Sequence, residues 1–353
     1  MTTRKFLALF LALLLCLSMV ACSKTNDGPV ESEARQDTQD SQEETSSEPI
    51  KVGVALPQMK VEWFAQFGEN LEKMAPDYNV EITVVSADGD TATQSDQVDN
   101  FVTMGMDYIV CCGVGGTGCL DAMIRAVEAG VPVLNIMNDI SDYPEAYTYT
   151  VLQDEYTIGY SIAQFASEWI DQHYPDAEDG SIQVALAGMS HTPDAILRTN
   201  GMKAIEELNS KVTIVQEFTY NLGEDPNAKT AEYGDILFTA YPDTKVFLAF
   251  NADIATGMNT VAGRYNKSYD DFAVYGCDWT IEFANALRAA VNNESYIRGN
   301  AACWTNLELT VFNFILENEE YISEVDENRV YWNPIYTVLP DKVDDFIKMT
   351  TIG

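Results

Sequence analysis

From Ile50 onward, short runs rich in β-branched residues alternate with longer amphipathic stretches, and the unit recurs many times. A chain patterned this way is restricted to parallel α/β layers, because parallel neighbours need long crossovers and a helix both spans the distance and buries one face on the sheet. Strands are expected over 50–56, 80–86, 108–112 and 131–137, with helices over 63–74, 95–104 and 120–129 between them. A second series opens with a helix over 155–171. It continues with strands over 182–187, 212–218, 246–250 and 273–276 and helices over 194–208, 228–240 and 254–265. Two similar doubly wound lobes follow, each with its ligand-facing groups at the carboxyl ends of its strands.

Residues 1–49 are of another kind. Arg4 and Lys5 precede an apolar run over 6–17 and a small-residue approach, Ser18 to Ala21, so residues 1–21 read as an export signal. The run is shorter than the roughly 20 apolar residues a spanning helix needs. Cys22 then stands where the lipobox of bacterial lipoproteins has its acylated cysteine, a resemblance from which Met19 departs, since leucine is usual there. Residues 23–49 carry acidic, Ser, Thr and Gln side chains with almost no large apolar residue, too little to order a core. Residues 22–49 are therefore expected to be a lipidated cysteine and a disordered tether, a coil spanning roughly 30 Å. The expected location is the outer face of the bacterial cytoplasmic membrane, or the periplasm.

Twenty Lys+Arg against 55 Asp+Glu leave a formal charge of −35. That excludes nucleic acid as a partner, since phosphate neutralisation supplies most of its affinity, and it limits membrane contact to the lipid anchor. With Cys16 lost in the leader and Cys22 acylated, Cys111, Cys112, Cys119, Cys277 and Cys303 remain, an odd set in which a disulfide stays undecided. No C-x-x-C pair occurs and His173 and His191 are the only histidines, so no metal site is expected.

Two catalytic motifs invite attention and lose it. Gly113, Gly115 and Gly118 match G-x-G-x-x-G between a strand and a helix, with Asp139 about twenty residues on. The match lies on a late strand of an exported chain, and glycines serve any tight strand-to-helix turn. Ser190 and His191 beside Asp194 resemble part of a hydrolytic triad, but such groups come from separate elements, and the segment reads as a loop with Asp194 capping the next helix. The chain is therefore expected to be no enzyme and to carry no cofactor.

Polar and aromatic residues at strand ends say more. Trp63 and Phe64 open the first helix, Asn138 follows the 131–137 strand, Arg198 lies on the helix after 182–187, Asn251 follows 246–250, and Asp278 follows 273–276. Their amide, guanidinium and carboxylate groups offer donors and acceptors in fixed planar geometry, and an aromatic face can cover the C–H side of a sugar ring.

These residues also carry a resemblance, from Ile50 to about Asp345, to the type I periplasmic sugar-binding proteins of ABC transporters, the ribose-binding kind. Its motifs stand here as Gly130-Val131-Pro132-Val133, Arg198-Thr-Asn-Gly201, Asn251-Ala252-Asp253-Ile254-Ala255-Thr256-Gly257 and Gly276-Cys277-Asp278. The resemblance implies a monomeric receptor that closes two lobes on a small neutral ligand, a monosaccharide or related polyol, and presents it to a membrane permease. It implies that Trp63 and Phe64 line the sugar ring while Arg198, Asn251 and Asp278 bond its hydroxyls. It also implies discontinuous lobes, residues 50–151 with 304–333 and residues 152–303 with 334–353, hinged near Thr150-Val151, Cys303 and Asn333. Where the family has an Asp-Arg pair this chain has Met137-Asn138, and the position often held by Gln falls near Cys303-Trp304. Met137 and Trp304 make the expected site less polar, so a deoxy-sugar or nucleoside-like ligand stays open. A ligand-sensing module for a membrane receptor would use the same closure.

Overall fold

The computed structural model of the protein describes residues 48–221 and 224–350. The leader, Cys22 and nearly all of the tether lie outside them. Strands β1 (Ile50–Leu56), β2 (Val80–Ser86), β3 (Tyr108–Cys111), β4 (Val133–Ile136) and β5 (Tyr149–Leu152) form one sheet with β11 (Val330–Trp332), in the order β11-β5-β4-β3-β1-β2. A second sheet holds β6 (Ile182–Met189), β7 (Val212–Tyr220), β8 (Val246–Ala249), β9 (Ala273–Cys277), β10 (Ile297–Ala302) and β12 (Tyr336–Val338), in the order β12-β10-β9-β8-β6-β7. All pairings are parallel except β10 with β12. Helices α1 (Glu62–Met74), α2 (Thr91–Met104) and α3 (Leu120–Glu128) serve the first sheet, and α4 (Glu155–His173), α5 (Pro193–Lys203), α6 (Ile205–Leu208), α7 (Pro226–Ala240), α8 (Ala252–Arg264) and α9 (Ile281–Ala289) the second. After them come α10 (Leu307–Ile315), α11 (Glu319–Ser323) and α12 (Val343–Thr350). This is the two-lobed, doubly wound α/β fold that the sequence pattern requires.

Central strands such as β3 and β8 are buried along their whole length, as expected of strands covered on both faces. Several helix starts are set by side-chain caps. Asp90 accepts from the Thr93 amide at 2.6 Å, so α2 begins at Thr91, ahead of the expected residue 95. Asp194 caps nothing. Thr192 Oγ1 accepts from the Ala195 amide at 3.0 Å and Pro193 takes the first helical turn, where its missing N–H costs nothing, so Asp194 is free to face the other lobe. The single helix expected over 194–208 breaks at Ala204 into α5 and α6.

Between the sheets the chain passes three times, after β5, after β10 and after β11. One buried side chain joins all three passages. Gln153 donates from Nε2 to the Pro334 carbonyl at 2.6 Å and accepts on Oε1 from the Trp304 amide at 3.0 Å, while the Asn333 amide donates to Leu152 O at 2.8 Å.

Helices α4 and α5 pack backbone to backbone. A Cβ on Gly159 would lie 2.0 Å from the Arg198 carbonyl, and one on Gly201 2.2 Å from that of Tyr156. Only glycine permits this approach, and the approach fixes Arg198 against the first turn of α4. In the first lobe the buried Gln94 of α2 plays a similar part: its amide donates to Cys112 O at 2.8 Å and its oxygen accepts from the Val114 N–H at 2.6 Å, holding the glycine-rich turn after β3.

The five cysteines described are buried and free; Cys111 Sγ and Cys119 Sγ lie 3.4 Å apart. No helix among the described residues is long and apolar enough to cross a membrane.

Candidate functional site

At the carboxyl ends of both sets of strands lies a cavity of about 110 Å³, lined from both lobes. This is somewhat less than the roughly 150 Å³ of an engineered cavity that holds benzene, so the space is on the scale of one small molecule. The first lobe supplies Gln58 from the β1–α1 loop, Trp63 and Phe64 from the start of α1, Gly113 and Gly115 from the glycine turn, and Met137 and Asn138 from the end of β4. From the second lobe come Glu155 of α4, then Met189, His191, Asp194 and Arg198 around the β6–α5 turn, and Phe250, Asn251 and Asp278 after β8 and β9.

Arg198 organises the polar side. It is 3 % exposed, and its Nε and one terminal nitrogen donate to the two Glu155 oxygens at 2.6 and 3.1 Å. The other terminal nitrogen donates to Asp278 Oδ1 at 3.1 Å and to the Phe250 carbonyl at 3.2 Å, and the guanidinium lies 4.5 Å from the Phe250 ring centroid. With four of the five guanidinium N–H groups used inside the protein, Arg198 chiefly orients the two carboxylates. Asp278 Oδ1 also accepts from Cys303 Sγ at 2.9 Å, leaving Oδ2 for a ligand. Asn251 spends its oxygen on the α8 cap, accepting from Ile254 N at 3.0 Å, so it has its amide N–H pair to offer. Asn138 is the reverse case: its amide donates to Gly113 O at 3.2 Å, leaving its oxygen as an acceptor.

Two strained backbone positions lie at the cavity. Met137 (φ 73°) and Asp278 (φ 67°) stand in the left-handed region immediately after the inner strands β4 and β9, one in each lobe. Non-glycine residues hold that conformation at a cost and cluster at ligand sites.

The opposite wall is aromatic, with Trp63 edge-on to Phe64 at 5.2 Å between centroids and stacked on Phe67 at 5.1 Å. Three carboxylates, Glu155, Asp194 and Asp278, face this space against one guanidinium. Burial raises the Glu155 carboxyl above its ordinary range, although Arg198 opposes the rise, and burial likewise raises Asp194. Burial lowers His191, keeping its ring neutral.

Hydrogen bonds also join the lobes across the cleft. The Glu62 amide at the start of α1 donates to Asp253 Oδ2 at 3.0 Å, and the Asp139 amide donates to Asp194 Oδ2 at 2.8 Å. No group of three or more His, Cys, Asp or Glu side chains able to hold a metal ion is found among the described residues.

A cleft between two α/β lobes, with an aromatic wall facing a carboxylate–guanidinium network, is built to enclose a small solute. Residues 52–304 match the model of the periplasmic binding protein domain family. The chain belongs to that family. Members bind solutes without transforming them and work outside the cytoplasm, so this is a binding protein and not an enzyme. The binding protein is 23 % identical over 252 residues to the ABC transporter periplasmic-binding protein YphF of Escherichia coli (strain K12), covering 68 % of this chain and 74 % of that one. It is 22 % identical over 227 residues to the ribose import binding protein RbsB of Bacillus subtilis (strain 168), covering 64 % and 69 %. Among solved structures, a galactofuranose binding protein superposes with a TM-score of 0.72 at 16 % identity, covering 86 % of this chain and 98 % of its own. A Caulobacter myo-inositol binding protein gives 0.66 at 16 % identity, covering 84 % and 95 %.

Of the residues singled out in the sequence, Trp63, Phe64, Met137, Asn138, Arg198, Asn251 and Asp278 line the cavity. Trp304 does not: it is buried in the apolar core with Leu307 and Val311, where the crossover after β10 turns it inward. Glu155 went unnoticed as the first residue of a long helix, although a buried Arg198 demands such a partner. Gln58 lay in a loop with no pattern of its own. His191 and Asp194 were weighed for catalysis and set aside, yet both face the cavity.

Proposed function

We propose that this protein is the extracytoplasmic solute receptor of an ABC importer, closing its two lobes on a monosaccharide or related polyol and presenting the closed form to a membrane permease. The observation that carries this reading is the cavity at the strand ends, where Trp63 and Phe64 from one lobe and Asn251 and Asp278 from the other line the same space. Its aromatic wall and its planar polar groups suit one sugar ring, and the relatives named for ribose import and the structures named for sugars and inositol point the same way. The lobes comprise residues 50–151 with 304–333 and residues 152–303 with 334–353, and the three passages clasped by Gln153 act as the hinge. Ligand favours the closed form through contacts made only there.

A thermal-shift screen of D-ribose, D-allose, D-galactose and myo-inositol, followed by calorimetry, tests this. A true ligand at one hundred times its dissociation constant adds about 2.7 kcal/mol of stability. A response to none of these, with a response to amino acids or peptides instead, would sink the sugar reading.

The chain is held at the membrane through acylated Cys22, on the strength of the Ala21-Cys22 junction in its sequence. Because stable anchoring needs more than one acyl chain, Cys22→Ser should release the protein into the medium or periplasm, or leave it unprocessed. Equal membrane retention of a processed Cys22→Ser form would contradict the anchor.

A further inference from the structure

Gln58 and His191 reach the cavity from opposite lobes, and neither satisfies its polar atoms within the protein. Gln58 is 1 % exposed, and neither Nε2 nor Oε1 makes a well-formed hydrogen bond; its polar neighbour is the Tyr220 hydroxyl, which donates to Glu224 O at 2.9 Å and can accept from the Gln58 amide, leaving Oε1 without a donor. His191 Nδ1 is likewise buried and unpartnered. A buried amide or imidazole that lacks partners costs free energy. Both stand beside the aromatic wall and the Arg198 network.

We propose that Gln58 and His191 clamp the ligand between the lobes through its hydroxyl groups, and that the carboxylates around the same space restrict that ligand to one without an anionic group. A hydroxyl both donates and accepts, so it satisfies either oxygen or nitrogen of the Gln58 amide and either tautomer of a neutral imidazole. An anion would meet Asp194 and Asp278 at close range. The one guanidinium already serves Glu155 and Asp278, so no free cation within the cavity lining receives a ligand carboxylate or phosphate. Uronic acids and sugar phosphates are thereby excluded. This rests on the sugar-binding reading and adds to it the two residues and a structural ground for a neutral ligand.

The test is calorimetry on the full-length protein with D-galactose, D-allose, D-ribose and myo-inositol as neutral probes and D-galacturonate as the anionic one. Gln58→Leu and His191→Ala should each weaken the neutral ligand roughly five- to a hundredfold, the range set by one lost buried hydrogen bond. The ligand-free Gln58→Leu protein should melt no lower than wild type, because it sheds an unsatisfied polar group; a merely structural glutamine would lower the melting temperature. His191→Asn, which keeps a donor and an acceptor near the same place, should recover part of the loss. Unchanged affinity in both Gln58→Leu and His191→Ala, or galacturonate binding as tightly as galactose, would overturn the inference. A wild-type protein that binds none of the neutral probes would overturn the sugar reading and this inference with it; neutral binding with insensitive variants would overturn the inference alone.

Discussion

Arg198→Leu should cost the fold about 3–5 kcal/mol and remove ligand binding, because breaking a buried ion pair from one side leaves the other charge uncompensated. Here two charges are left: Glu155 and Asp278, both buried, share the one guanidinium at 2.6 to 3.1 Å. Lysine would not serve. It keeps the charge but has no planar fork to meet both Glu155 oxygens while reaching Asp278 and the Phe250 carbonyl, so Arg198→Lys should recover only part of the stability. The abandoned Glu155 carboxylate, already raised by burial, can escape the penalty by taking up a proton. The deficit should therefore narrow as pH falls, and Arg198→Leu combined with Glu155→Gln should be less damaging than Arg198→Leu alone. Urea unfolding at pH 7.5 and pH 5 measures all three effects. A loss under 1 kcal/mol at pH 7.5 would mean that the network contributes little and that Arg198 is replaceable.

That network also shows where sequence reasoning reaches its limit. Alternating β-branched and amphipathic segments announce most of the doubly wound layers up to Gly276, because buried parallel strands and their crossover helices leave strong periodic signals; β5 and β10 are not among the expected strands. Strands β11 and β12 are three residues each and take their identity from pairing with β5 and β10, which no local pattern encodes. The site was legible where one residue type sits at a strand end, as with Asn251 and Asp278. It was illegible where function depends on who faces whom across the cleft. Glu155 becomes a site residue only through Arg198, 43 residues later, and Asp194 only because Thr192, two residues earlier, takes over the cap. Trp304 is the complementary case: an indole beside a crossover is expected to make the site less polar, yet, with its backbone in the left-handed region (φ 57°), it is buried in the core and does not line the cavity.

Ligand affinity should rise as pH falls through about 7, and Asp253 is the group that drives it. In the closed form Asp253 lies at the seam between the lobes, its Oδ2 accepting from the Glu62 amide at 3.0 Å. Burial raises its carboxyl to about 7; the Glu62 amide opposes the rise, while Glu62 of α1, Asp278 after β9 and Glu282 of α9 add to it. Glu62 is itself raised, by burial and by Glu282, so the carboxylates across this seam press in one direction. Once the lobes part, Asp253 regains water and its ordinary value near 3.8. Closing therefore takes up a proton at any pH between those two values. By linkage the closed form gains on the open one as pH drops from about 7, by at most tenfold per pH unit, and the dependence flattens above about 7, where Asp253 is ionised in both forms. Asp194, raised by burial at the second cross-lobe contact, acts with the same sign. Asp253→Asn keeps an oxygen for the Glu62 amide but cannot ionise, so it should flatten most of the slope and bind at least as tightly as wild type at pH 8. Calorimetric titrations from pH 5.5 to 8.5, repeated in two buffers of different ionisation enthalpy, read both the affinity and the proton taken up. Affinity that is level across this range, or that rises with pH, would show that Asp253 does not change its protonation when the lobes close.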